Sequence, residues 1–105
     1  MGRLILKSAH TINVMLERHL EQYFAKQIKA KGGLSYKFTS PSNAGVADRI
    51  VVLPGGVVWF VELKTSTGKL SKLQALFNKR VQALGANACV LYGRDEVDEW
   101  LDGHF

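Results

Sequence analysis

Residues 45–64 read GVADRIVVLPGGVVWFVELK, and this stretch carries most of the information about the fold. Two apolar runs flank a Pro-Gly-Gly turn at 54–56, a combination typical of a β-hairpin with strands at 48–53 and 57–64. Both strands are apolar on both faces, so both faces of the sheet need cover. The pattern therefore predicts a central sheet with helices on each side, an α/β/α arrangement.

The turn also predicts the register of the hairpin. With a three-residue loop, Leu53 lies opposite Val57, and the pairing continues to Asp48 opposite Glu62. A different loop length or a bulge would shift this pairing. Alternation along the strand places Lys64 on the same face as Glu62. Two carboxylates about 5 Å apart repel each other unless a cation lies between them.

The rest of the chain supplies three helices and two strands. We predict a first helix from a cap at Thr11 or Asn13 to about residue 30, a strand at 34–39, a helix at 71–84, a strand at 88–92 and a short acidic helix at 95–101. The order is α-β-β-β-α-β-α, in one domain over residues 1–105. A β-α-β crossover makes the last strand pair parallel, so the fold class is α/β with three layers and a mixed sheet.

Charge is distributed unevenly along the 105 residues. All 14 Lys and Arg lie at or before Arg94, where the acids number only four, which gives that part a net charge of +10. These four acids are Glu17, Glu21, Asp48 and Glu62. Such an excess favours a polyanionic partner, most plausibly nucleic acid, with a merely soluble basic surface as the alternative.

Several classes of protein are excluded or disfavoured. The apolar runs are too short to span a membrane, and residues 4–6 are too few for the core of a signal peptide. Cys89 is the single cysteine, which rules out an intrachain disulfide. A reducing, cytoplasmic setting is therefore expected.

Asp48 and Glu62 are the type of ligand that Mg²⁺ or Mn²⁺ prefers, namely hard carboxylate oxygens. Such a metal lowers the pKa of bound water and offsets charge on a phosphate, and Lys64 would stabilise the same charge. The alternative is a surface ion pair between Glu62 and Lys64 at the end of a strand.

These motifs resemble those of the VRR-NUC nucleases, which belong to the PD-(D/E)xK superfamily. The resemblance runs from about residue 17 to about residue 92 and rests on GVADRIVVLPGG, VVWFVELK, KFTSP at 37–41, GKLSKLQ at 68–74 and ALG at 83–85. It implies a restriction-endonuclease-like fold. Ala47-Asp48 stands where the superfamily has Pro-Asp, and the missing proline has no chemical role.

The resemblance also implies roles for individual residues. Asp48, Glu62 and the backbone carbonyl of Leu63 would bind the metal, and Lys64 would be the catalytic lysine. Gln74 would be a further active-site residue, although Ser71-Lys72-Leu73-Gln74 equally fits a capping box. The first helix contributes one more acid in this family, where Glu21 fits better than Glu17.

The resemblance implies a DNA endonuclease. The candidate DNA contacts are Lys69, Lys72, Arg49, Lys37 and Ser40. No element suited to reading base edges is evident, so selectivity for DNA structure is expected. Small standalone members, typical of phages and bacteria, resemble Holliday-junction resolvases, whose two cuts call for a two-fold dimer. The alternatives are a catalytically inactive nucleic-acid-binding module and a subunit of a larger nuclease complex.

Overall fold

Four strands and three helices make up residues 8–105, the part of the chain that the computed structural model describes. In chain order they are α1 (Ala9–Ala30), β1 (Leu34–Lys37), β2 (Arg49–Leu53), β3 (Val57–Lys64), α2 (Lys72–Ala83), β4 (Asn87–Tyr92) and α3 (Gly93–His104). The predicted order of elements is confirmed. The apolar run at 4–6 lies outside the described residues. Within 8–105, no helix is both long and apolar enough to cross a bilayer.

The sheet has the strand order β1-β2-β3-β4 and is mixed, as predicted. The β1–β2 and β2–β3 pairs are antiparallel, and β3–β4 is parallel. Leu53 pairs with Val57 across the hairpin, which confirms the three-residue loop. Gly55 and Gly56 both have positive φ, at 91° and 82°. Because side chains with a Cβ rarely adopt that conformation, these two glycines make the tight turn possible and thereby set the register.

Helices cover both faces of the sheet. On one face, α1 and α3 bury the main core, which consists chiefly of Leu20, Phe24, Ile28, Val51, Val61, Leu63, Val97, Trp100 and Leu101. On the other face, Phe77 of α2 packs edge-on against Phe60, with ring centroids 5.6 Å apart. Phe60 and Val61 are neighbours on β3, so alternation directs them to opposite faces. The three-layer arrangement is therefore present, with the larger core on the α1/α3 side.

Some predicted boundaries were wrong. The N-cap of α1 is Ser8, whose Oγ accepts the N–H of Thr11 at 3.1 Å, so the helix begins before Thr11 and Asn13. Strand β1 ends at Lys37, and β2 begins at Arg49. Helix α3 spans Gly93–His104, and it is held in place because Val97, Trp100 and Leu101 on one side of it are buried in the core.

Candidate active site

The two predicted acids meet at the start of β2 and the end of β3. Asp48 comes directly before β2, and its backbone carbonyl accepts the N–H of Phe38 at 2.7 Å. Glu62 lies within β3, and only 1% of its surface is exposed. The strand pairing ends one residue short of these acids, at Arg49 opposite Val61. Their side chains nevertheless interact, because Asp48 forms a hydrogen bond with Glu62 that raises the pKa of Glu62.

The pKa of Glu62 is raised from its usual 4.5 to about 9. Burial is the largest cause, because removal from water penalises the charged form. A hydrogen bond with Asp48 and the negative charge of Asp48 raise the pKa further. Oε1 of Glu62 is buried and has no hydrogen-bond partner among the described residues. A buried acid next to a second acid, with an unsatisfied oxygen, is an arrangement that a divalent cation would stabilise.

Lys64 and Leu63 complete the strand segment of the site. The positive charge of Lys64 lowers the pKa of Glu62, so its ammonium group acts on the carboxylate as expected. Leu63 is buried, and its side chain belongs to the core on the α1/α3 side. Alternation therefore turns Glu62 and Lys64 towards the α2 face, while Leu63 fixes this part of β3 against the helices.

Glu21 lies close to two basic side chains. Its carboxylate lies 3.6 Å from Nε of Arg49 and 3.7 Å from Nζ of Lys37. Only 12% of the Arg49 side chain is exposed, so this arginine lies largely inside the protein next to Glu21. The roles of Glu21 as a metal ligand and of Arg49 as a DNA contact stay predictions.

Glu17, the other acid of α1, has an electrostatic effect on Glu62. Its negative charge makes the smallest of the contributions to the raised pKa of Glu62. Among residues 8–105, no three acidic, histidine or cysteine side chains are grouped closely enough to hold a metal ion. Asp48 and Glu62 thus form a pair, and further ligands would have to come from backbone oxygen or water.

Gln74 has the structural role considered from the sequence. Its Oε1 accepts the backbone N–H of Ser71 at 2.8 Å, and its own N–H donates to Oγ of Ser71 at 3.1 Å. This reciprocal pair is a capping box, and it satisfies two backbone donors that the start of α2 would otherwise leave unpaired. A catalytic role for Gln74 stays a prediction.

The remaining candidate DNA contacts lie on the surface near α2 and β1. Lys69 and Lys72 are exposed and flank Ser71, the cap of α2. Ser40 is half-buried in the loop after β1, and Lys37 is largely exposed despite its contact with Glu21. Both lysines near α2 come soon after the active strand, at a helix N-terminus where anions are favoured.

Sequence reasoning missed a cluster that joins α1 to α3. The hydroxyl of Tyr23 donates to Oδ1 of Asp98, and the guanidinium of Arg94 lies 4.0 Å from the centroid of the Tyr23 ring. Residues 23 and 94 are 71 positions apart, so no local spacing could have revealed their contact.

Comparisons with known proteins agree with this arrangement. No family model matches the sequence. A curated protein named "Putative nuclease p44", from Acyrthosiphon pisum secondary endosymbiont phage 1, is 36% identical over 84 residues, which cover 80% of this chain and 90% of the phage protein. A solved structure described as a VRR_NUC domain is 31% identical, with a TM-score of 0.78. The match covers 85% of this chain and 97% of that structure.

Proposed function

This chain belongs to the VRR-NUC family of nucleases, and from that premise we propose that it is a divalent-metal-dependent DNA endonuclease. The observation that carries the proposal is the buried carboxyl group of Glu62 in contact with the partly buried Asp48. Burying an acid beside a second acid is costly unless their charge is compensated. A structural protein would gain nothing from such a pair, whereas a nuclease needs it to bind a cation.

The residues present fit Mg²⁺ or Mn²⁺. Asp48, Glu62 and the backbone carbonyl of Leu63 would hold the ion through oxygen atoms, the ligands that both metals prefer. When bound, such an ion lowers the pKa of a water molecule and offsets negative charge on the phosphate. Oε1 of Glu62, buried without a partner, is the atom in this set that most needs a cation.

Two further charged residues would act on the reacting groups. Lys64 would place its ammonium next to the scissile phosphate and stabilise the charge that develops on its oxygens. We propose Glu17 as the helix acid of the site, since it already acts on Glu62 while Glu21 is paired with Arg49. Glu17 would orient water at the metal and would not be a direct ligand.

DNA would lie across the end of β3, with its backbone held by Lys69 and Lys72 near the start of α2. Phosphate contacts fix the position of DNA without reading its sequence. We therefore propose selectivity for branched DNA, such as a four-way junction, cut by a two-fold dimer. Exposed apolar surface supports an association between copies: Leu73 on α2 is 52% exposed and Val58 on β3 is 42% exposed. The phage relative supports action in the cytoplasm of a bacterium or a phage-infected cell.

The test is cleavage of a panel of labelled duplex, flap, splayed and four-way DNA with Mg²⁺, with Mn²⁺ and with EDTA. We expect metal-dependent nicking of branched DNA by the wild type. Lys64→Ala should lower the rate by about 100-fold or more, as for other residues that stabilise transition-state charge. Lys79→Ala, at an exposed position on α2, is the matched control and should retain activity.

The result that contradicts the proposal is binding without nicking. If the wild type binds branched DNA but cuts none of the panel with either metal, the chain is an inactive binding module. Light scattering of the isolated chain addresses the third possibility, since a clean dimer counts against an obligate subunit of a larger complex.

A further inference from the structure

A cavity of about 290 Å³ lies just beyond the end of β3, between α1, α3 and the loop that follows this strand. Its walls include Leu16, His19 and Leu20 of α1, Thr65 and Ser66 after β3, and Tyr23 with Arg94. This volume is close to the lower limit, about 300 Å³, at which proteins bind small molecules. The cavity is next to the candidate site along the chain, because Thr65 directly follows Lys64 and Leu16 precedes Glu17.

The side chain of Arg94 lines this cavity and lies over the ring of Tyr23. Its guanidinium lies 4.0 Å from the centroid of the Tyr23 ring. Asp98 holds both partners, since it accepts the hydroxyl of Tyr23 and lies 4.0 Å from Nε of Arg94. The Arg94 side chain is nevertheless 68% exposed, so much of the guanidinium remains accessible to a ligand.

The chemistry of the walls favours a planar, uncharged group over a phosphate. Asp98 partly neutralises Arg94, and a carboxylate at this distance would repel a phosphate anion. Leu16 and Leu20 give the α1 wall, which also contains His19 and Tyr23, an apolar part that suits the edge or face of a base. Guanidinium planes and aromatic rings are the surfaces on which proteins stack unpaired bases.

We infer that this cavity receives an unstacked nucleobase from the DNA strand next to the scissile phosphate, with the base stacked on Arg94. The inference rests on the proposed endonuclease function and specifies its substrate class. A base leaves the stack at least cost where it is unpaired or mismatched. Branched DNA offers such bases at its branch point, so the cavity would give the nuclease its preference for DNA structure.

The experiment measures base stacking directly, without relying on cleavage. A four-way junction carries 2-aminopurine at successive positions around the cut or branch point, and Ca²⁺ replaces Mg²⁺ to prevent nicking. We expect wild-type binding to change the fluorescence strongly at one position. Arg94→Ala and Arg94→Lys should both abolish that change and weaken binding about tenfold, because lysine keeps the charge but has no plane for stacking.

An abasic nucleotide at the responsive position provides a second measurement. It should weaken wild-type binding about tenfold and have little further effect on Arg94→Ala, since the two changes remove the same contact. Arg80→Ala, an exposed arginine on α2, is the control for general loss of positive charge. If Arg94→Ala fails to fold, the abasic scan of the wild type still decides the question.

Two results would overturn the inference. In the first, Arg94→Lys keeps wild-type affinity, and Arg94→Ala lowers by about one unit the slope of the logarithm of the binding constant against the logarithm of salt concentration. Arg94 would then contact a phosphate and not a base. If no position responds to 2-aminopurine or to an abasic nucleotide, the cavity holds no base. In either case a wild type that still nicks the junction leaves the endonuclease proposal intact. Failure of nicking alone would refute that proposal without altering the fluorescence result.

Discussion

Glu62→Gln should stabilise the metal-free protein at alkaline pH even though it removes a proposed metal ligand. The wild-type pKa of Glu62 is about 9 in the folded state against a usual 4.5. Between those values the folded chain retains a proton that the unfolded chain has lost. The contribution of Glu62 to folding stability is therefore fully present below about pH 4.5, and it is lost as pH rises towards about 9. A glutamine cannot ionise, so the variant escapes this loss.

The size of the effect follows from proton linkage. One retained proton changes the free energy of unfolding by about 1.4 kcal/mol for each pH unit. Between pH 5 and pH 8 the wild type should lose up to about 4 kcal/mol relative to Glu62→Gln. That is a large part of the 5–15 kcal/mol typical of a whole domain. Near pH 5 the two proteins should have similar stability.

Urea unfolding at pH 5, 6, 7 and 8 in EDTA, followed by tryptophan fluorescence, measures this difference. Glu99→Gln, at an exposed position on α3, is the control and should show no pH-dependent difference from the wild type. Added Mg²⁺ or Mn²⁺ should stabilise the wild type more than Glu62→Gln, because the metal displaces the proton from the ligand. A constant difference between wild type and Glu62→Gln from pH 5 to pH 8 would refute the reasoning.

Three other changes test separate parts of the structure. Arg49→Ala leaves the carboxylate of Glu21 with only the exposed Lys37 as a partner, and it should lower the free energy of unfolding by about 2 kcal/mol in urea titrations. An unchanged midpoint would argue against the ion pair of Arg49 with Glu21. Burial raises the pKa of the Cys89 thiol to about 12, so at pH 8 iodoacetamide should react slowly with Cys89 in the native protein. The same thiol should react rapidly in guanidinium, and rapid labelling of the native protein would contradict this. Leu73→Glu should make the proposed dimer dissociate into monomers, which light scattering would detect. Ile12→Glu, on the exposed side of α1, is the control and should remain a dimer. If Leu73→Glu is still a dimer, the interface lies elsewhere.

Local patterns were sufficient for the hairpin that carries the site. The Pro-Gly-Gly turn predicted the pairing of Leu53 with Val57, and counting along the strands brought Asp48 and Glu62 together. The capping box at Ser71 and Gln74 was equally readable, since its two residues lie three positions apart. Side-chain direction alternates along a strand and repeats along a helix, so features within one element or one turn follow from spacing.

The acids of α1 show where spacing stops being informative. Glu17 and Glu21 share one face of the helix but stand about 6 Å apart along its axis. Family resemblance favoured Glu21, which the structure pairs with Arg49 and Lys37, while the charge of Glu17 makes a small contribution to the raised pKa of Glu62. Which turn of the helix meets the site depends on how Phe24 and its neighbours pack against the sheet, and no local signal encodes that shift.

The amino-acid sequence alone determined the order of elements, the mixed sheet and the approach of Asp48 to Glu62, because hydrophobic periodicity and turn chemistry act over a few residues. The tertiary structure decided which charges pair with one another. It placed Arg49 in an ion pair with Glu21, and it set the guanidinium of Arg94 over the Tyr23 ring. Those contacts join residues far apart in the chain, and only the packing of α1 and α3 on one face of the sheet brings them together.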